Sequence, residues 1–192
     1  MALITIKHLL LLINLSQVTL ALKVLIGYRR VSRLEAFEIN QRKNIFRDHA
    51  YDYKANRDRA AQLGNGVYLS MKVDGYDGRP NDWWCYVFAE AGPLRQAPKV
   101  WIPDHLWDQP EEDIADYVEG RLKGGESPEY ALRMSQVKGY PDGFIQMLIP
   151  TDMVNYNMLR TSARCHRNRH ELPIEDPVDY DWHGFRNEKQ TS

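Results

Sequence analysis

Cysteine is scarce in this chain: only Cys85 and Cys165 occur in 192 residues. So few cannot staple a disulfide-dense miniprotein. An excess of one charge is also missing, with 25 Lys and Arg against 26 Asp and Glu and a net charge of −1. That balance argues against a nucleic-acid binder that relies on bulk positive charge. No run reaches the ~20 apolar residues of a membrane-spanning helix. There is no internal repeat and no low-complexity tract. The one Asn-x-Ser/Thr site, at Asn14, falls in the N-terminal apolar region. The 43% hydrophobic and 27% charged content exclude a disordered or collagen-like chain. The length suits one domain and hardly two.

The N-terminus reads as a targeting segment. Lys7 precedes a run from Leu9 to Leu20 that is diluted by Asn14, Ser16 and Gln17. Thr19 and Ala21 then supply small residues before a cut after Ala21, the pattern of a secretory signal peptide over residues 1–21. An uncleaved anchor or a buried N-terminal helix is the other reading. Secretion makes Cys85 and Cys165 one disulfide; two buried free thiols are the alternative. The expected product is extracellular and monomeric, without a membrane span after cleavage.

A domain over 22–160 follows, and 161–192 reads as a charged, partly disordered C-terminal tail. Strands are expected at Leu22–Arg29, Gly66–Ser70, Trp84–Ala89, Lys99–Ile102 and Phe144–Ile149. Ser32-Arg-Leu-Glu35 is a capping box for a helix reaching about Gln41, with Leu34, Phe37 and Gln41 on one side. Asn44–Lys54 reads as loop and Ala55–Leu63 as a short helix that Gly64 ends. Pro110 opens a helix whose stripe is Ile114, Tyr117, Val118 and Leu122. Ser127-Pro128 starts another, with Leu132, Met134 and Val137 on its buried side. Strands and helices with short, irregular crossovers indicate a mixed α+β domain.

Three polar residues interrupt or end apolar strands: Arg29, Tyr68 and Gln146. A buried polar group needs a partner, because leaving it unpaired costs ~1–3 kcal/mol. Arginine offers a fork to phosphate, and tyrosine a face for a flat ring. Gly64 and Gly66, before Tyr68, permit close backbone approach or simply make a turn. The bland reading is a strand-end ion pair for Arg29, a core tyrosine for Tyr68 and an edge-strand amide for Gln146. Cys165, His166 and His170 make a weak metal motif, lacking a fourth ligand at usual spacing, and no metal is expected. The basic run Arg160–His170 either docks an acidic partner or pairs with nearby acids.

Taken in order, these segments resemble ADP-ribosyltransferases. Tyr28-Arg29 before a helix is similar to the arginine motif of the cholera-toxin-like branch. Gly64-Asn-Gly-Val-Tyr-Leu-Ser70 is similar to the poly(ADP-ribose) polymerase-like segment whose Tyr packs on nicotinamide. Gln146-Met-Leu-Ile-Pro150 is similar to the strand that carries the family's catalytic Glu. The resemblance covers roughly residues 22–150. It implies a split of two small antiparallel sheets with flanking helices. It also implies NAD as the substrate, with Arg29, Tyr68 and Gln146 catalytic and Arg29, Gly66, Tyr68 and Ser70 binding NAD. Transfer to a protein acceptor, in a host cell for a toxin or effector, or to water would follow. Gln146 replaces a carboxylate, and Phe144 stands where arginine-modifying members carry a second Glu. If the acid comes from elsewhere, Glu126, Glu129 and Asp142 are the nearest candidates. A non-catalytic binding protein on the same fold is the competing expectation.

Overall fold

The computed structural model describes residues 22–58, 61–179 and 185–186. The expected signal peptide lies outside them. Among the described residues eight strands form one sheet in the order β7-β3-β1-β2-β6-β5-β4-β8. They are β1 (Lys23–Val31), β2 (Gly66–Ser70), β3 (Trp83–Glu90), β4 (Lys99–Trp101), β5 (Leu132–Gln136), β6 (Ile145–Pro150), β7 (Ser162–His166) and the two-residue β8 (Phe185–Arg186). The β4–β5 and β4–β8 pairs are parallel and the others antiparallel. The architecture is therefore α+β, but the expected division into two antiparallel sheets is corrected. One residue pair, Tyr28 opposite Ser70, joins β1 to β2 and makes the sheet continuous.

Among the described residues the flanking helices are α1 (Arg33–Arg42), α2 (His49–Arg57), α3 (Ala91–Gln96), α4 (Glu111–Glu119) and α5 (Thr151–Asn155). At the start of α1 the Ser32 hydroxyl accepts from the Glu35 N–H at 3.2 Å. The Glu35 carboxylate does not return to the cap; it pairs with Arg29 at 2.8 Å. The buried side of α1 is Ala36 and Ile39, whereas Leu34 and Phe37 are 70% and 58% exposed. Asn40 explains this rotation. Its amide accepts from the Cys165 N–H at 2.8 Å and donates to the Cys165 carbonyl at 3.0 Å. Docking that face on β7 turns Leu34 and Phe37 outward.

Two further corrections have local causes. Helix α2 begins inside the expected loop because Asp48 caps it, accepting from the Ala50 N–H at 2.9 Å. Pro128 starts only a short 3₁₀ turn, and the next residues form β5. Leu132 and Met134 alternate there with Arg133 and Ser135, the two-residue period of a strand.

The segment assigned to a charged tail contributes structure to the domain. Edge strand β7 pairs with β3, placing Cys165 opposite Cys85, and the two form a disulfide. That bond is consistent with an oxidising, extracellular location. Among the described residues no helix is long and apolar enough to cross a membrane. The largest buried cluster includes Ile26, Val87 and Met147, and a second under α4 joins Leu63, Ile102, Ile114, Val118 and Leu148.

Candidate functional site

A cleft of roughly 430 Å³ opens beside the β1–β2 junction. Its size falls in the range of small-molecule sites. Strand β1 supplies Arg29 and Arg30, β2 supplies Tyr68 and β6 supplies Gln146. Loops add Gln62, Tyr76, Asp108, Val137 and Lys138. Arg29, Tyr68 and Gln146 therefore meet in one cavity, although they lie far apart in the chain.

The two arginines are partly held. One Arg29 nitrogen pairs with Glu35, while its buried Nη1 finds no acceptor among the described residues. Arg30 donates to the Arg79 carbonyl at 3.0 Å, and its guanidinium lies 4.2 Å from the centre of the Trp84 ring. Its Nε is also buried without a partner among the described residues. Two guanidinium groups thus retain donor capacity at the cleft, a setting suited to an anionic ligand.

Tyr68 is pinned at its tip. Its hydroxyl accepts from the Leu63 N–H at 2.7 Å and donates to the Gly64 carbonyl at 3.0 Å. Burial pushes it above the ordinary tyrosine range, so it stays protonated. The ring is what Tyr68 offers to a ligand. The glycines before it serve packing: a Cβ on Gly66 would lie 2.2 Å from the Ile149 carbonyl of β6. Ser70 is buried opposite Gln146, and its hydroxyl accepts from the Lys72 N–H at 3.1 Å, stabilising the following turn. Neither Gly66 nor Ser70 lines the cleft.

Gln146 is only 2% exposed. Its Oε1 accepts from the Tyr76 hydroxyl at 2.9 Å. Its Nε2 donates to Ser135 Oγ at 3.2 Å and to the Gln136 carbonyl at 3.3 Å. Gln62 joins the same network, donating to Ser135 Oγ at 3.0 Å and the Gln136 carbonyl at 2.7 Å. Burial and the neighbouring Tyr68 push Tyr76 upward, so its hydroxyl remains a donor. No sequence motif marks Tyr76, Gln62 or Ser135: Tyr76 is expected in a loop, and Gln62 and Ser135 fall in segments expected to be helical that form a turn and strand β5 instead.

Acid is sparse here. None of Glu126, Glu129 and Asp142 lines the cleft; Asp108 does, ion-paired to Lys138. Among the described residues no group of three or more His, Cys, Asp or Glu side chains is placed to hold a metal ion. The basic run is partly neutralised, with Arg160 pairing with Glu90 and Arg169 with Asp74 and Glu175.

The fold and cleft define an α+β protein with a cationic, aromatic pocket at a strand junction. A model described as a family of unknown function (DUF5910) matches residues 61–188, and the chain belongs to that family. The match includes Tyr68, Tyr76, Asp108, Lys138, Gln146 and both cysteines, while Arg29 and Arg30 precede it. No curated protein matches, and no ADP-ribosyltransferase family model does.

Proposed function

We propose that the cleft binds NAD and that the protein is a secreted mono-ADP-ribosyltransferase or NAD glycohydrolase acting as a toxin or effector. One observation carries this reading: Arg29, with its unpartnered guanidinium nitrogen, shares a single cleft with Tyr68 and Gln146. Arginines suit the diphosphate, and a fixed tyrosine ring suits the nicotinamide. Ser70 and Gly66 support the strand that carries Tyr68, and are assigned no direct contact. The acceptor is a protein side chain or water.

A second reading is a non-catalytic secreted binding protein, and Gln146 favours it. Its amide is neutral and bonded at both ends, so it supplies no negative charge to a developing cation. The test is nicotinamide release by the oxidised protein over residues 22–192, beside Arg29→Ala and Gln146→Glu. Release by the wild type that disappears in Arg29→Ala supports the enzyme. A silent wild type with activity gained in Gln146→Glu marks an NAD site lacking its charge. Silence from all three without NAD binding by calorimetry sinks the NAD reading.

A further inference from the structure

The cleft presents several cations but one carboxylate. Arg29, Arg30 and Lys138 line it, and Asp108 is its only acidic lining residue among those described. Asp108 lies in the connection before α4, with its backbone in the left-handed region at φ 60°. That conformation is uncommon outside glycine, and such backbone tends to gather at functional sites. The position is held from two sides. The Asp108 N–H donates to the Gln62 carbonyl at 3.3 Å, and the Asp108 carboxylate pairs with Lys138. The Gln62 side chain in turn accepts from the Lys138 N–H at 2.9 Å and bonds the same Ser135 and Gln136 groups that hold Gln146. Asp108 is thus built into the support of Gln146, although 38 positions separate them in the chain.

We propose that Asp108 is the catalytic carboxylate of this cleft and supplies the negative charge that Gln146 lacks. The inference rests on the NAD reading above. Breaking an N-glycosidic bond builds positive charge on the ribose, and a fixed carboxylate lowers that barrier. In the hydrolytic reaction the bond between the ribose C1′ and the nicotinamide ring nitrogen breaks. Its electron pair leaves with neutral nicotinamide. Water forms the new bond to C1′, and its proton passes to the Asp108 carboxylate and then to solvent. ADP-ribose, nicotinamide and one proton are the products. Arg29 and Arg30 hold the phosphates, and the ion pair with Lys138 holds the Asp108 side chain in place in the free protein.

The experiment compares NAD binding by calorimetry with nicotinamide release for the oxidised wild type, Asp108→Asn and Asp108→Gly. Asn tolerates the left-handed backbone and Gly relieves it, so at least one variant is free of backbone strain. Glu112→Gln, exposed on α4 and outside the cleft, is the control and keeps wild-type turnover. The expected result is turnover lowered by ~10²–10³ in both Asp108 variants with NAD affinity nearly unchanged. Undiminished turnover in a variant that binds NAD overturns the role of Asp108 and leaves the NAD reading standing. A wild type that binds NAD but releases no nicotinamide overturns the catalytic role alone. A wild type that does not bind NAD removes the NAD reading and this inference together.

Discussion

The Tyr76 hydroxyl donates to Gln146 Oε1 across 2.9 Å and fixes which way that amide points. Nε2 is thereby directed to Ser135 and Gln136, and the side chain sits in one orientation. Tyr76→Phe removes the donor and leaves Gln146 Oε1 buried without it. Stability should fall by ~1–3 kcal/mol, the cost of an unsatisfied buried polar group. Urea unfolding of both proteins checks this; equal midpoints would show that the amide finds another donor.

A second ion pair, behind the Tyr68 turn, is asymmetric. Arg133 is 2% exposed at its side chain and Glu111 is 27% exposed, with 2.8 Å between them. Arg133 also donates to the Leu63 carbonyl at 2.9 Å, and Glu111 accepts from the Asn65 N–H at 2.6 Å. Removing the acid strands a buried cation, whereas removing the arginine leaves an acid that reaches water. Glu111→Ala should therefore cost ~3–5 kcal/mol and Arg133→Met clearly less. The order of the two urea midpoints is the readout, and the reverse order would refute the argument. Gly64 belongs to the same arrangement: a Cβ there would lie 2.1 Å from Glu111 Oε2 and 2.3 Å from Arg133 Nη1.

The Cys85–Cys165 bond ties edge strand β7 to β3 across a sequence separation of 80. Edge strands have one neighbour fewer and fray more readily. Reduction should lower stability by ~4–5 kcal/mol on the chain-entropy model. Amide exchange should accelerate at residues 162–166 more than in the central β1. Uniform acceleration across the sheet would mean that the bond acts on the unfolded chain alone.

Strands β2 and β3 were legible because apolar and β-branched residues are bounded by glycine, loop or turn signals. The helix over Glu111–Glu119 was legible from its stripe, and the meeting of Arg29, Tyr68 and Gln146 from the order of three short motifs. Other features depend on distant partners. The outward turn of Leu34 and Phe37 follows from Asn40 bonding the Cys165 backbone, a contact 125 residues away. Strand β5 was hidden because Arg133 and Ser135 are buried polar residues, bonded to Glu111 and to the network around Gln146 respectively. Asp108 carries no local signal at all. Its place at the cleft depends on Gln62 and Lys138, which only the folded chain brings beside it.

Three tyrosines, Tyr28 buried and Tyr68 and Tyr76 partly buried, set an alkaline limit on the fold. Tyr28 donates to the Asp176 carbonyl at 2.7 Å. Burial, then the charges of Asp176 and Glu175, push its hydroxyl up to about 12. Tyr68 and Tyr76 shift in the same direction, chiefly through burial. In the unfolded chain all three titrate near the ordinary tyrosine value of about 10. Between about pH 10 and 12 the folded state therefore holds protons that the unfolded state has released, and stability falls as pH rises. The full contribution is present below about pH 10 and is lost as pH passes through the folded values. Each tyrosine adds a slope of up to ~1.4 kcal/mol per pH unit. Urea midpoints of the oxidised protein from about pH 8 to 11 should be level at first and then drop. Tyr28→Phe should start lower, having lost its hydrogen bond, and then fall less steeply. Parallel curves for the two proteins would mean that Tyr28 titrates alike in both states, and that its burial against residues 174–176 does not persist in solution.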